Sequence, residues 1–201
     1  MSFKPITFEE FQNRSHFTKE EILAHSWGTL ITDPPSESSR LPAPPFLMID
    51  RVTEIEHAGK KGKIVAEKDI AIDEWFFQCH FTSDPVQPGC LGVDAIWQLI
   101  GFYICTMGVP GSGRALGCGE VEFNGQIRPY NKLVRYEIDI RRFSSMPEQG
   151  AALAIGNGKV FVDDEHIYSV RDAKVGVFTG IAYPDYPARS ENSVGGVMER
   201  S

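Results

Sequence analysis

The chain has 201 residues and carries 27 acidic against 20 basic side chains, a formal net charge of −7. That balance argues against a general binder of nucleic acid, which needs a basic surplus. An apolar fraction of 42% with 23% charged residues argues against disorder of the whole chain and can fill the core of one domain.

Thr18-Lys19-Glu20-Glu21, followed by Ile22 and Leu23, has the spacing of a capping box and predicts a short helix over about 18–26. Residues 32–45 are rich in proline and serine and predict a loop. Strands are expected over 46–55 and 62–70. Residues 74–88 are irregular and aromatic (Trp75, Phe76, Phe77, Phe81), so this loop should be buried or line a pocket. Residues 89–107 predict a helix that is apolar on nearly every side and therefore central. Asp94 and Gln98 interrupt it, which argues against a membrane span.

After a glycine-rich turn over 108–113 the period changes to two. Val134, Tyr136, Ile138 and Ile140 alternate with Arg135, Glu137, Asp139 and Arg141, as in a half-buried antiparallel strand. Neighbouring strands are expected over 114–123, 151–162 and 167–178, with Asp163-Asp164-Glu165 as a polar turn. The expected class is α+β, an antiparallel sheet around one long central helix. Residues 41–178 form its domain, 1–40 an extension with a short helix and a loop, and 179–201 a flexible tail.

Cys79, Cys90, Cys105 and Cys118 include no CxxC pair and mostly stand among apolar residues, where a free thiol packs as a small hydrophobe. Reduced thiols and the lack of a long apolar run at the start predict a cytoplasmic protein. The five histidines form no HxxxH or HExxH pair, so no metal site is expected. No dinucleotide loop or GxSxG elbow is found either.

Three features point to chemistry. Asp94 sits in an apolar helix, where a carboxylate is costly unless paired or protonated, and Gln98 one turn on can orient it. His80 stands among aromatic side chains, where a neutral imidazole can act as general base. Pro88-Gly89 opens the helix, whose free N–H groups suit a developing oxyanion. A thioester carbonyl held at the N–H of Gly89 or Cys90 would acidify its neighbouring carbon. His80 would take that proton, and Asp94 would hold or protonate the departing hydroxyl. No redox cofactor is required. Taken singly, each feature also fits a structural role: a hydrogen-bonded buried carboxylate, a satisfied core histidine, an ordinary helix start.

Trp75-Phe76-Phe77-Gln78-Cys79-His80-Phe81 and Asp84-Pro85-Val86-Gln87-Pro88-Gly89-Cys90-Leu91-Gly92-Val93-Asp94-Ala95-Ile96-Trp97-Gln98-Leu99 together resemble the bifunctional 3-hydroxydecanoyl-acyl-carrier-protein dehydratase/isomerase family of bacterial fatty-acid synthesis. Leu41-Pro42-Ala43-Pro44, Met48-Ile49-Asp50-Arg51, Gly113-Arg114-Ala115-Leu116-Gly117 and Lys174-Val175-Gly176-Val177-Phe178 extend the resemblance over about 41–178. It implies a hot-dog fold and a homodimer with active sites shared between subunits, His80 from one and Asp94 from the other. It further implies Gly89 as the thioester amide and an acyl tunnel near Phe77, Phe81 and Trp97. The implied partner is acyl carrier protein. Aspartate at position 94 favours the group that also isomerises trans-2 to cis-3 decenoyl. Arg135, Arg141 and Arg142 are basic candidates for carrier contact. A dehydratase without isomerase activity, one serving a polyketide or polyunsaturated-lipid pathway, a thioesterase and a non-catalytic acyl-binding module remain as alternatives.

Overall fold

The computed structural model describes residues 3–181. Two threonines start its first two helices, α1 (Phe8–Asn13) and α2 (Lys19–Trp27). Thr7 and Glu10 cap α1 reciprocally, as Thr18 and Glu21 cap α2. The Thr7 box is as visible in the sequence as the Thr18 box, but a six-residue helix is too short to show a period. Gly28 ends α2 with φ 72°, a left-handed conformation that glycine adopts without steric cost.

Seven strands follow: β1 (Arg51–Ala58), β2 (Lys61–Asp69), β3 (Ser112–Gly117), β4 (Glu120–Phe123), β5 (Leu133–Met146), β6 (Ala151–Val162) and β7 (Glu165–Phe178). They form one antiparallel sheet in the order β1-β2-β5-β6-β7-β3, with β4 also paired to β7. Helix α3 (Gly89–Thr106) lies against β2, β3, β5, β6 and β7. This is the expected hot-dog arrangement, a sheet wrapped on a central helix. By length and composition α3 would also pass for a membrane span. However, 72% of it is buried inside the domain, which marks it as a core helix.

Packing fixes the helix against the sheet. Ile96, Leu99, Ile100 and Tyr103 are fully buried, each worth about 1.5–3 kcal/mol of burial by the transfer rule. Gly158 in β6 makes room for Ile96, since a Cβ there would lie 2.6 Å from Ile96 Cδ1. Gly92 in α3 likewise receives the Tyr168 ring from β7. On its other flank α3 is covered by the amino-terminal segment. Phe11, Phe17 and His25 all pack on Phe102, with ring centroids 5.6, 5.2 and 5.0 Å away. The extension is therefore part of the core.

Two strand expectations shift. Strand β1 begins at Arg51, because the backbone of residues 46–48 is bonded to a side chain instead. Gln98 Nε2 donates to the Phe46 carbonyl at 2.9 Å, and its Oε1 accepts from the Met48 N–H at 3.0 Å. The strand expected over 114–123 is two strands, β3 and β4. Gly117, at φ 126°, and a turn at Cys118-Gly119 separate them. All four thiols are free, but only Cys105 is buried, which pushes it up to about 12; Cys79 and Cys90 are exposed. Of the expected tail, Thr179 and Gly180 are bonded to Gly150 and Glu37, and residues from 182 on lie outside those described.

Candidate active site

His80 is carried by the aromatic loop between β2 and α3. A 3-10 turn over Trp75–Gln78 leads into it, and the His80 N–H donates to the Phe76 carbonyl at 2.8 Å. The chain then doubles back, so that the Val86 N–H donates to the His80 carbonyl at 2.8 Å. The Val86 carbonyl in turn lies 3.0 Å from His80 Nδ1. A carbonyl only accepts, so Nδ1 carries a proton, which leaves Nε2 as the nitrogen able to act as base. Phe81 stacks on the imidazole at 4.1 Å between centroids, and the His80–Phe81 peptide is cis.

The loop runs directly into α3. Pro88 occupies the N-cap position and supplies no side-chain cap to the first-turn N–H groups. Gly89 admits the Phe123 ring, because a Cβ there would stand 2.7 Å from Phe123 Cε1. His80, Gly89, Cys90, Phe123 and Tyr168 line one cavity of about 490 Å³. An imidazole base and the start of an 18-residue helix therefore share one space. That pairing suits removal of a proton beside a carbonyl whose oxygen rests on the helix start.

Asp94 lies one turn further into α3, half-buried. Gln98 Nε2 donates to Asp94 Oδ2 at 2.7 Å while the rest of the Gln98 amide is held by Phe46 and Met48. Burial raises the Asp94 pKa above the usual carboxylate range, and the Gln98 hydrogen bond works against that rise. A carboxyl in this setting favours its protonated form more than an exposed one and is suited to act as an acid. Asp94 lines a different cavity, of about 220 Å³, together with Trp97, Gln98, Phe102, His25 and Arg40.

The FabA-like domain model matches residues 41–171, well over half of the chain. The chain belongs to the FabA-like family of hot-dog dehydratases. Among solved structures, the domain is similar to an uncharacterized protein from Erwinia carotovora subsp. atroseptica, at 13% identity and TM-score 0.42. That match covers 64% of this chain and 93% of the other. AziG of S. sahachiroi matches at 9% identity and TM-score 0.42, covering 63% and 90%. The dehydratase heterocomplex ApeI:P from Xenorhabdus doucetiae matches at 16% identity and TM-score 0.40, covering 61% and 95%.

Within this FabA-like domain, the residues singled out from sequence fall into three groups. His80, Gly89 and Cys90 share the first cavity; Asp94, Trp97 and Gln98 share the second. Trp97 is oriented by its Nε1–H, which donates to the Gly117 carbonyl at 3.3 Å. Phe77 and Phe81 part company. Phe77 is in the core at 6% exposure, packed on Phe76, and lines neither cavity, while Phe81 is exposed over His80. An aromatic in an irregular loop gives no period from which to read its direction. Within a single chain His80 and Asp94 occupy separate cavities. Arg135 is paired with Glu137 and Asp164 and lies over Phe161, and Arg141 is paired with Asp172. Sequence reasoning missed Phe123, Tyr168, His25 and Arg40 as cavity residues. Gly92 was the available signal for Tyr168, because an isolated glycine inside a helix often marks a close approach.

Proposed function

We propose that this FabA-like domain dehydrates a 3-hydroxyacyl thioester of about ten carbons, delivered by acyl carrier protein, at two sites in a cytoplasmic homodimer. Each site joins His80 and Gly89 of one copy to Asp94 of the other. The observation that carries the reading is the pairing of an imidazole whose Nε2 has no hydrogen bond among the described residues and a carboxyl of raised pKa, each ring or carboxyl fixed by its own hydrogen bond, in two cavities of one chain. Further support comes from the surface around them. Phe81, Leu116 and Phe123 are exposed, and β3 is bonded on one side to β7, with most of its residues exposed. Such an edge with apolar neighbours suits a second copy.

In the proposed reaction the thioester oxygen accepts from the Gly89 and Cys90 N–H groups, which stabilises charge as it develops. His80 Nε2 takes the proton from C2. The C2–C3 double bond forms as the C3–O bond breaks, and the Asp94 proton leaves with the hydroxyl as water. His80 ends protonated and Asp94 ionised, and both reset by exchange with solvent. Isomerisation uses the same groups: a proton leaves C4, another is delivered to C2, and the double bond moves from position 2 to position 3.

The test mixes two inactive variants. His80→Ala and Asp94→Asn are purified separately, then unfolded and refolded together with 3-hydroxydecanoyl thioester as substrate. In a shared-site dimer, each mixed dimer rebuilds one intact site, so random mixing restores about a quarter of wild-type activity. No recovery from variants that fold and dimerise would sink the shared site. Separation of trans-2 from cis-3 products decides the isomerase step, which fails if only trans-2 forms.

A further inference from the structure

The Asp94 cavity has a polar far end that the dehydration chemistry does not use. Its wall follows one face of α3 through Asp94, Gln98, Gly101 and Cys105. At 1.5 Å per residue the distance from Asp94 to the Phe102–Cys105 turn is about 12–16 Å. Two groups from the amino-terminal segment reach the cavity near that turn. His25, 3% exposed, packs on Phe102 and stacks on Phe11. Its Nδ1 accepts from the Leu41 N–H at 3.3 Å, so the ring proton is on Nε2. Among the described residues no hydrogen bond engages that Nε2–H. Arg40 lies beside it, with its guanidinium against Gly28, and likewise makes no ion pair among the described residues.

A plain alkyl tail gains nothing from an N–H donor that faces the cavity and a guanidinium at its edge. A carboxylate would satisfy both at once, taking one hydrogen bond from the imidazole and a charge-assisted one from the guanidinium. Burial and the nearby Arg40 charge hold His25 at about 4, so the imidazole is a neutral donor and Arg40 alone supplies the charge.

We propose that His25 and Arg40 select acyl thioesters whose far end carries an oxygen acceptor, and in particular a carboxylate. This rests on the dehydratase reading and names its substrate class. The amino-terminal segment is then the specificity element of the domain, while the His80 loop and α3 hold the chemistry.

The experiment compares two 3-hydroxyacyl thioesters of equal chain length, one ending in methyl and one in carboxylate, on the full-length wild-type protein. The expected result is a kcat/KM at least about tenfold higher for the carboxylate-ended substrate, carried by KM. Arg40→Gln should collapse that ratio, and His25→Leu should reduce it. If His25→Leu does not fold, the exposed Arg40→Gln variant decides alone. Equal or better turnover of the methyl-ended substrate by wild type overturns this proposal and leaves the dehydratase reading standing. So does a ratio unchanged in folded Arg40→Gln. No turnover of either substrate overturns both.

Discussion

His80 and Asp94 stand fourteen residues apart and are held in different ways. His80 belongs to a loop whose aromatic residues are partly exposed, and its ring is set by a backbone carbonyl six residues ahead. Asp94 belongs to a helix buried along most of its length, and its carboxyl is set by a side chain that also ties down the 46–48 backbone. The loop can present its base at a rim because its own turns hold its geometry. The helix can keep a carboxyl partly out of water because the core already fixes the backbone. In the proposed reaction the two methods correspond to two roles: a base that meets the substrate and an acid whose pKa is tuned by burial.

The largest effect should come from removing either group. His80→Ala and Asp94→Asn should each lower kcat by about 10²–10⁴-fold while the protein stays folded, as read by circular dichroism and turnover. A smaller loss in either folded variant would remove that residue from the acid–base pair. Next comes the scaffold. Ile96→Ala should cost about 2–5 kcal/mol in chemical denaturation, because the socket at Gly158 cannot close on the smaller side chain. A truncation in the loop at exposed Phe81 should cost far less stability, and equal costs would dissolve the contrast between loop and helix.

Gln98→Ala joins the two regions. It leaves the Phe46 carbonyl, the Met48 N–H and Asp94 without their partner, which should cost about 1–3 kcal/mol and also lower kcat. A stability loss with unaltered kcat would make Gln98 a tie for the loop only.

The smallest effects are pH slopes, and they have opposite signs. Asp94 has its pKa raised above 3.8, so the folded chain holds a proton that the unfolded chain has released. Its contribution to stability is present below that value and is lost as pH rises through the folded pKa. Asp94→Asn should therefore raise the melting temperature at pH 7 and lose that advantage in acid. His25 is depressed from 6.5 to about 4, so the unfolded chain binds the extra proton. Its contribution is present above 6.5 and is lost as pH falls toward 4. His25→Phe should flatten the acid limb of stability between those values, and an unchanged limb would place its cause elsewhere.

The sequence made the regular parts of the fold legible. Helix α3, β2, β6 and β7 begin and end within two residues of expectation, because each is a run rich in apolar residues with a glycine or an acidic turn at its boundary. The start of β1 was not legible. Phe46-Leu47-Met48-Ile49 has strand composition, and only the tertiary bonds to Gln98 divert its backbone. At the candidate site, His80, Gly89 and Asp94 stand out in the sequence because each carries a polar function in an apolar context. Their division between two cavities was not visible, since nothing in a linear pattern says which residues share an enclosed space. The cavity role of His25 was hidden for the same reason, as a helix residue far from any chemistry in sequence.

The open side of β3 has one further consequence. On the shared-site reading a lone chain contains every catalytic residue and yet has no working site, so activity is a property of concentration as well as of sequence. Specific activity should fall on dilution through the dissociation constant of the dimer. Newly made molecules would then be silent until they meet, and the amount of protein in the cell would itself act as the switch.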